Sequence, residues 1–148
     1  MRGGTENIVG IAGLAKALQY SIDHMEDHKN HIVGLKSYFR EKLTAEFTDI
    51  QFTGDDQGLN HYKVLNVSFP PSPKASLLLL SLDIAGVSAS GGSACSSGAE
   101  AGSHVLAALN VAPDRKNIRF SFSHLNTKEE IDQVIQKLRT ILKKALVA

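Results

Sequence analysis

The residues in this chain whose types and spacing suit chemistry are one cysteine, a glycine-threonine loop and three clustered histidines. Cys95, the only cysteine, lies in Ser90-Gly91-Gly92-Ser93-Ala94-Cys95-Ser96-Ser97-Gly98. Nothing in that stretch can fill a core, and its glycines free the backbone. A thiol on such a loop suits a nucleophile that must reach out, attack and withdraw. The plainer alternative is a small buried cysteine that behaves as a weak hydrophobe. Near the start, Gly3-Gly4-Thr5 runs directly into a helical pattern, as a backbone does when it approaches an anionic group at a helix N-terminus. Thr5 or Asn7 supplies the cap of that helix. His24 and His28 are four residues apart, with His31 close behind. No carboxylate or cysteine completes a convincing ligand set with them, so they read as a polar helix surface and no metal is assigned.

The rest of the composition narrows the function classes. The chain has 148 residues, 43% of them hydrophobic and 21% charged, which is the balance of one globular domain with a real core. A formal net charge of +1 gives no field that points to nucleic acid or to a membrane surface. A single cysteine excludes an intrachain disulfide framework and fits a reducing, cytoplasmic location. Apolar runs such as Leu77-Leu78-Leu79-Leu80 are far too short to span a bilayer. No secretory signal pattern opens the chain. The Arg2-Gly3-Gly4-Thr5 stretch has the look of a functional loop that follows other structure, so the chain is expected to begin inside a larger protein.

Periodicity indicates which elements must position these residues. Ile8, Ile11, Ala15, Leu18, Ile22 and Met25 form an apolar helical stripe, which continues through His28, Ile32, Leu35, Phe39, Leu43 and Phe47. It predicts either one very long helix or two consecutive ones. Ile50–Thr53 and Lys63–Phe69 read as strands, the second stopped by Pro70-Pro71. Ser72-Pro73 starts a helix that runs to about Asp83 and ends at Gly86. Val87–Ser90 is expected as a short strand feeding the Cys95 loop. A short helix spans Ser103–Leu109, ended by Asn110 and Pro113, and Asn117–Ser123 alternates cleanly as a strand. Thr127-Lys128-Glu129-Glu130 is a capping box that opens a final amphipathic helix through Leu142. The order implies an α+β fold, a small sheet covered by helices, with a long N-terminal helical segment.

Three stretches resemble one family, the cysteine desulfurases, which are pyridoxal-phosphate enzymes of the class V aminotransferase type. Arg2-Gly3-Gly4-Thr5-Glu6-Asn7-Ile8-Val9-Gly10 resembles their cofactor-phosphate loop. Ser90-Gly91-Gly92-Ser93-Ala94-Cys95-Ser96-Ser97-Gly98 resembles their nucleophile loop. Asn117-Ile118-Arg119-Phe120-Ser121-Phe122, followed by Asn126-Thr127-Lys128-Glu129-Glu130-Ile131-Asp132, resembles their late strand and helix. Order and spacing agree, and the resemblance covers essentially the whole chain. The segment between Cys95 and Arg119 is similar to the subgroup with an extended catalytic loop. The chain departs from the family at Ala101-Gly102, where relatives commonly have proline.

The resemblance implies the C-terminal small domain of a fold type I pyridoxal-phosphate enzyme. Residues 1–47 would form a helical segment linking to a cofactor domain, and residues 48–148 a small α/β domain carrying the nucleophile loop. Cys95 would be the catalytic nucleophile, taking sulfur from L-cysteine as a persulfide and leaving L-alanine. Arg119 would bind the substrate carboxylate, for which a planar guanidinium is well matched. Thr5 would donate a hydrogen bond to the cofactor phosphate in the neighbouring subunit's site of a homodimer. The lysine that anchors pyridoxal 5'-phosphate is expected in the preceding domain, so the chain alone is expected to be inactive. The sulfur would pass to an iron–sulfur scaffold or another acceptor protein. His104, nine residues after Cys95, reads as a helix-start histidine that bonds locally, ahead of a thiolate activator. His124 is given no role. Two other classes compete: a stand-alone persulfide carrier, and another class V aminotransferase or lyase with no need for the cysteine. The N-terminal stripe, Ile8 to Phe47, is expected to be bare in this chain and to drive self-association.

Overall fold

The structure, a computed structural model, describes residues 3–54, 60–92 and 103–143. In chain order its elements are α1 (Ile8–Asp23), α2 (Met25–Glu46), β1 (Gln51–Phe52), β2 (Val64–Phe69), α3 (Pro73–Ser76), α4 (Leu78–Ile84), α5 (His104–Ala108), β3 (Lys116–Ser121) and α6 (Lys128–Lys143). The three strands form one antiparallel sheet in the order β1-β2-β3. Helices α2, α4 and α6 bury their apolar stripes against it, giving the expected α+β architecture. Among the described residues no helix is long and apolar enough to cross a membrane.

Alternation along β2 and β3 sorts the sheet into two faces. Leu65, Val67 and Phe69 of β2 and Ile118 and Phe120 of β3 are buried toward the helices. Ile32, Leu35, Phe39 and Leu43 of α2 meet them, as do Leu78 and Leu82 of α4 and Ile131, Ile135 and Leu138 of α6. The Phe39 ring packs edge-on to Phe120 at 5.0 Å and to Phe122 at 6.0 Å, an arrangement that adds to area burial. The other face carries Asn66, Ser68, Asn117 and Arg119, with Asn66 paired to Arg119 and Ser68 to Asn117.

Several helix boundaries follow from single residues. Ser72 caps α3 by accepting from the Ala75 amide at 3.0 Å, with Pro73 at the first helical position. Gly86, at φ 75°, ends α4: its amide bonds the Asp83 carbonyl, and the Val87 amide reaches back to Leu82. Asn110, at φ 55°, ends α5 with the same pair of bonds, to Ala107 and from Val111 to Leu106. In the capping box the Glu130 amide donates to the Thr127 hydroxyl at 3.3 Å and the Thr127 amide donates to the Glu130 carboxylate at 3.0 Å.

The long N-terminal stripe forms two consecutive helices, one of the two arrangements its periodicity allows. His24 leaves helical geometry between them, at φ −110° and ψ 12°. The stripe also divides in burial. All of α1 is exposed, Ile8 at 71% and Leu14 at 72%, but from Ile32 onward the stripe is core of the sheet domain. The expectation of one bare stripe from Ile8 to Phe47 therefore holds only through Met25. The Ser72-to-Asp83 helix is broken at Leu77, leaving α3 and α4. The strand expected at Val87–Ser90 is reduced to one bridge, Ser90 to Arg119. The Gly86 turn immediately precedes Val87. After Ser90, Gly91 lies so near β3 that a Cβ there would meet the Asn117 carbonyl oxygen at 3.2 Å.

Candidate functional site

Arg119 sits in the middle of β3, on the sheet face away from the core. Its backbone is locked to Ser90 by two hydrogen bonds, Ser90 N to Arg119 O at 3.1 Å and Arg119 N to Ser90 O at 2.6 Å. Its side chain makes a third contact to the same residue, Nε donating to Ser90 Oγ at 3.0 Å. The two terminal guanidinium nitrogens have no partner among the described residues. The side chain lines a cavity of about 360 Å³ whose walls are the polar sheet face (Thr53, Asn66, Asn117), the glycine pair Gly91 and Gly92, and helix α5. A pair of parallel N–H donors at a concave surface has the geometry to match a carboxylate.

The cavity walls are themselves tied down. Thr53 Oγ1 donates to Asn117 Oδ1 at 3.2 Å. Ser103 accepts from the Leu106 amide to start α5, which carries His104 into the cavity wall. His104 is exposed at the first turn of that helix. Gly92, at φ 70°, occupies a conformation that disfavours any side chain. The chain thus leaves β3 at a fixed point, two residues after Ser90. Cys95 and residues 93–102 lie outside the described residues.

Thr5 is exposed ahead of α1 and is not part of the Arg119 cavity. The cap of α1 is Asn7, whose Oδ1 accepts from the Gly10 amide at 2.9 Å. The alternative that Thr5 serves as the cap is thereby closed, and its hydroxyl is left for another partner. The histidines of α2 have structural work. His28 stacks on His124 at 3.9 Å and on His24 at 5.6 Å, and His31 bonds the Asn126 carbonyl at 2.9 Å. Together they fasten α2 to the turn after β3. Partial burial, with the neighbouring His124 and His24, pushes the His28 pKa below its ordinary value.

Two participants escaped the sequence reading. Ser90, the last residue of the short segment that feeds the Cys95 loop, is the residue that holds Arg119. Arg115 has a side chain only 8% exposed. Its Nε donates to Ser68 Oγ at 3.0 Å, and Nη2 donates to the carbonyls of Ser68 and Asp49. The Asp49 carboxylate completes the set at 3.3 Å. The only available signal was the alternation that puts Ser68, Asn117 and Arg119 on one face.

Comparison with known proteins gives the family of the chain. The sequence profile of aminotransferase class-V proteins matches residues 1–134. The chain is 36% identical over 149 residues to cysteine desulfurase IscS of Dictyoglomus turgidum, covering 95% of this chain and 37% of that protein. It is 34% identical over 145 residues to a cysteine desulfurase of Gluconacetobacter diazotrophicus, covering 97% and 36%. The fold superposes on a NifS-like protein from Rickettsia africae with a TM-score of 0.76 at 24% identity, over 96% of this chain and 36% of that one. The chain therefore spans about a third of the length of the relatives it matches. With a profile match over nine-tenths of its residues, it belongs to the aminotransferase class-V family.

Proposed function

We propose that this chain carries the substrate-holding and sulfur-accepting part of a cysteine desulfurase that uses pyridoxal 5'-phosphate, works as a cytoplasmic homodimer and hands sulfur to an iron–sulfur scaffold or another acceptor protein. The observation that carries the reading is Arg119, held by Ser90 with both terminal nitrogens open to a cavity, on the strand next to the stem of the Cys95 loop. The names of its relatives support the same activity.

The described residues fit a cofactor with a phosphate and a substrate with a carboxylate. Thr5 has an exposed hydroxyl that is free of capping duty, and it would donate to the phosphate in the neighbouring subunit. The anchoring lysine would come from outside these residues. When bound, the cofactor supplies an electron sink that weakens the bond between Cβ and sulfur in L-cysteine. Arg119 would hold the carboxylate with two parallel N–H bonds and so fix where the sulfur lies. The Cys95 thiolate would attack that sulfur. An S–S bond forms, the Cβ–S bond breaks, and its electron pair stays on carbon, which takes a proton and leaves as alanine. Cys95 keeps the transferred sulfur as a persulfide. The bare face of α1 is the surface we assign to the rest of the enzyme and its dimer partner.

The test is Cys95→Ser in the cofactor-loaded holoenzyme that contains this chain. Alanine release from L-cysteine is expected to fall by about three orders of magnitude, since a hydroxyl is a poor sulfur acceptor, while the cofactor's absorbance is unchanged. Undiminished alanine release would instead favour a class V enzyme with no need for the cysteine.

A further inference from the structure

We propose that Ser90 is a positioning residue for the substrate: it sets the orientation of the Arg119 guanidinium and thereby the affinity for the carboxylate. The inference rests on the reading of Arg119 as the carboxylate holder. A guanidinium offers donors along two edges and can meet a carboxylate through either one. The Ser90 hydroxyl takes Nε at 3.0 Å, which removes the edge shared by Nε and one terminal nitrogen. Only the end-on pair of terminal nitrogens is left for a ligand. The hydroxyl can do this because its own position is fixed. Ser90 and Arg119 exchange both backbone hydrogen bonds, so the two side chains leave the same rung of the sheet edge. Gly91 presses the following backbone against Asn117, where a Cβ would meet the carbonyl oxygen at 3.2 Å. A long arginine on an exposed strand face otherwise samples many rotamers, and ordering it at the moment of binding would weaken affinity. The Ser90 hydroxyl orders it beforehand.

The experiment uses the cofactor-loaded holoenzyme and three variants: Ser90→Ala, Ser90→Thr and Arg119→Ala. The readouts are KM and kcat for L-cysteine, the thermal midpoint, and the dissociation constant for cysteamine, taken from the cofactor's absorbance. Cysteamine is L-cysteine without its carboxylate. Ser90→Ala is expected to raise KM for L-cysteine about tenfold, in line with loss of one hydrogen bond to a charged group. Its kcat is expected to stay within about twofold, and cysteamine binding to be unchanged. Ser90→Thr, which keeps the oxygen in an extended backbone, is expected to restore KM. An unchanged KM in Ser90→Ala, beside a raised KM in Arg119→Ala, overturns the inference alone. Equal weakening of L-cysteine and cysteamine also overturns it, because a merely structural role would do that. An unchanged KM in Arg119→Ala overturns the reading of Arg119 and the inference with it.

Discussion

Arg115 and Arg119 are four residues apart at the same sheet face, yet they have opposite lives. Arg115 is buried, and all three of its nitrogens are committed to Ser68 and Asp49. It joins the turn after α2 to the end of β2, and nothing else can bind to it. Arg119 is exposed, and a single nitrogen is committed, to Ser90. The difference teaches how to tell an arginine committed to the fold from one left open to a ligand. Residue type and alternation are the same for both. What separates them is how many donors the fold has already satisfied.

The largest effect should come from the open arginine. Arg119→Ala is expected to lower kcat/KM for L-cysteine in the holoenzyme by about two to three orders of magnitude, the worth of a bidentate ion pair in a concave site. Its unfolding free energy should stay within about 0.5 kcal/mol of the parent, as for other exposed positions. A large loss of stability would erase the contrast. Arg115→Ala should do the reverse. Urea unfolding is expected to show a loss of about 3 kcal/mol, because the buried Ser68 hydroxyl and carbonyl and the Asp49 carboxylate lose their donor. Activity per folded molecule should be unchanged. Ser68→Ala should reproduce about 1 kcal/mol of that loss, since it removes one acceptor and leaves the rest of the clamp.

The smallest effect is in the pH profile of stability, which should be the same for both arginine variants. Three groups with lowered values, His28, Glu129 and Glu130, set its acid side. The His28 pKa is lowered from its ordinary 6.5 by partial burial, His124 and His24. The unfolded chain therefore binds that proton first as pH falls, so the stability is present above pH 6.5 and is lost below it. The Glu130 pKa is lowered from 4.5, first by the Asn126 side chain and then by the Thr127 amide. Its contribution is present above pH 4.5 and is lost as pH falls through the lowered value. Thermal midpoints across this range should lose the upper step in His28→Gln and part of the lower step in Glu130→Ala. Unchanged profiles would contradict these assignments.

The parts of the fold that sequence made legible are those specified by near neighbours. Gly86 and Asn110 end their helices because each takes the left-handed conformation that lets its own amide and the next one bond back. Thr127 and Glu130 satisfy one another three residues apart. The core stripe of α6 and the alternation of β3 needed no distant partner to be seen. What escaped depended on remote residues. Arg115 meets Asp49 across 66 positions and Ser68 across 47, and no local pattern reports that. The bridge from Ser90 to Arg119 spans 29, so the strand pattern ending at Ser90 carries no sign of its partner. The breaks at His24 and Leu77 carry neither glycine nor proline, the usual local signals of a helix end. The burial of only the second half of the N-terminal stripe depends on where α6 and the sheet lie, not on the stripe itself.

The most direct measurement is mass spectrometry of the Cys95-containing peptide from holoenzyme exposed to L-cysteine, with alanine quantified in the same sample. The expected result is one additional sulfur atom on Cys95 for each alanine formed in the first turnover, with both reduced together in Arg119→Ala. Alanine formed while Cys95 stays unmodified, or sulfur on Cys95 in amounts that Arg119→Ala does not change, would contradict a desulfurase in which Arg119 holds the substrate and Cys95 receives its sulfur.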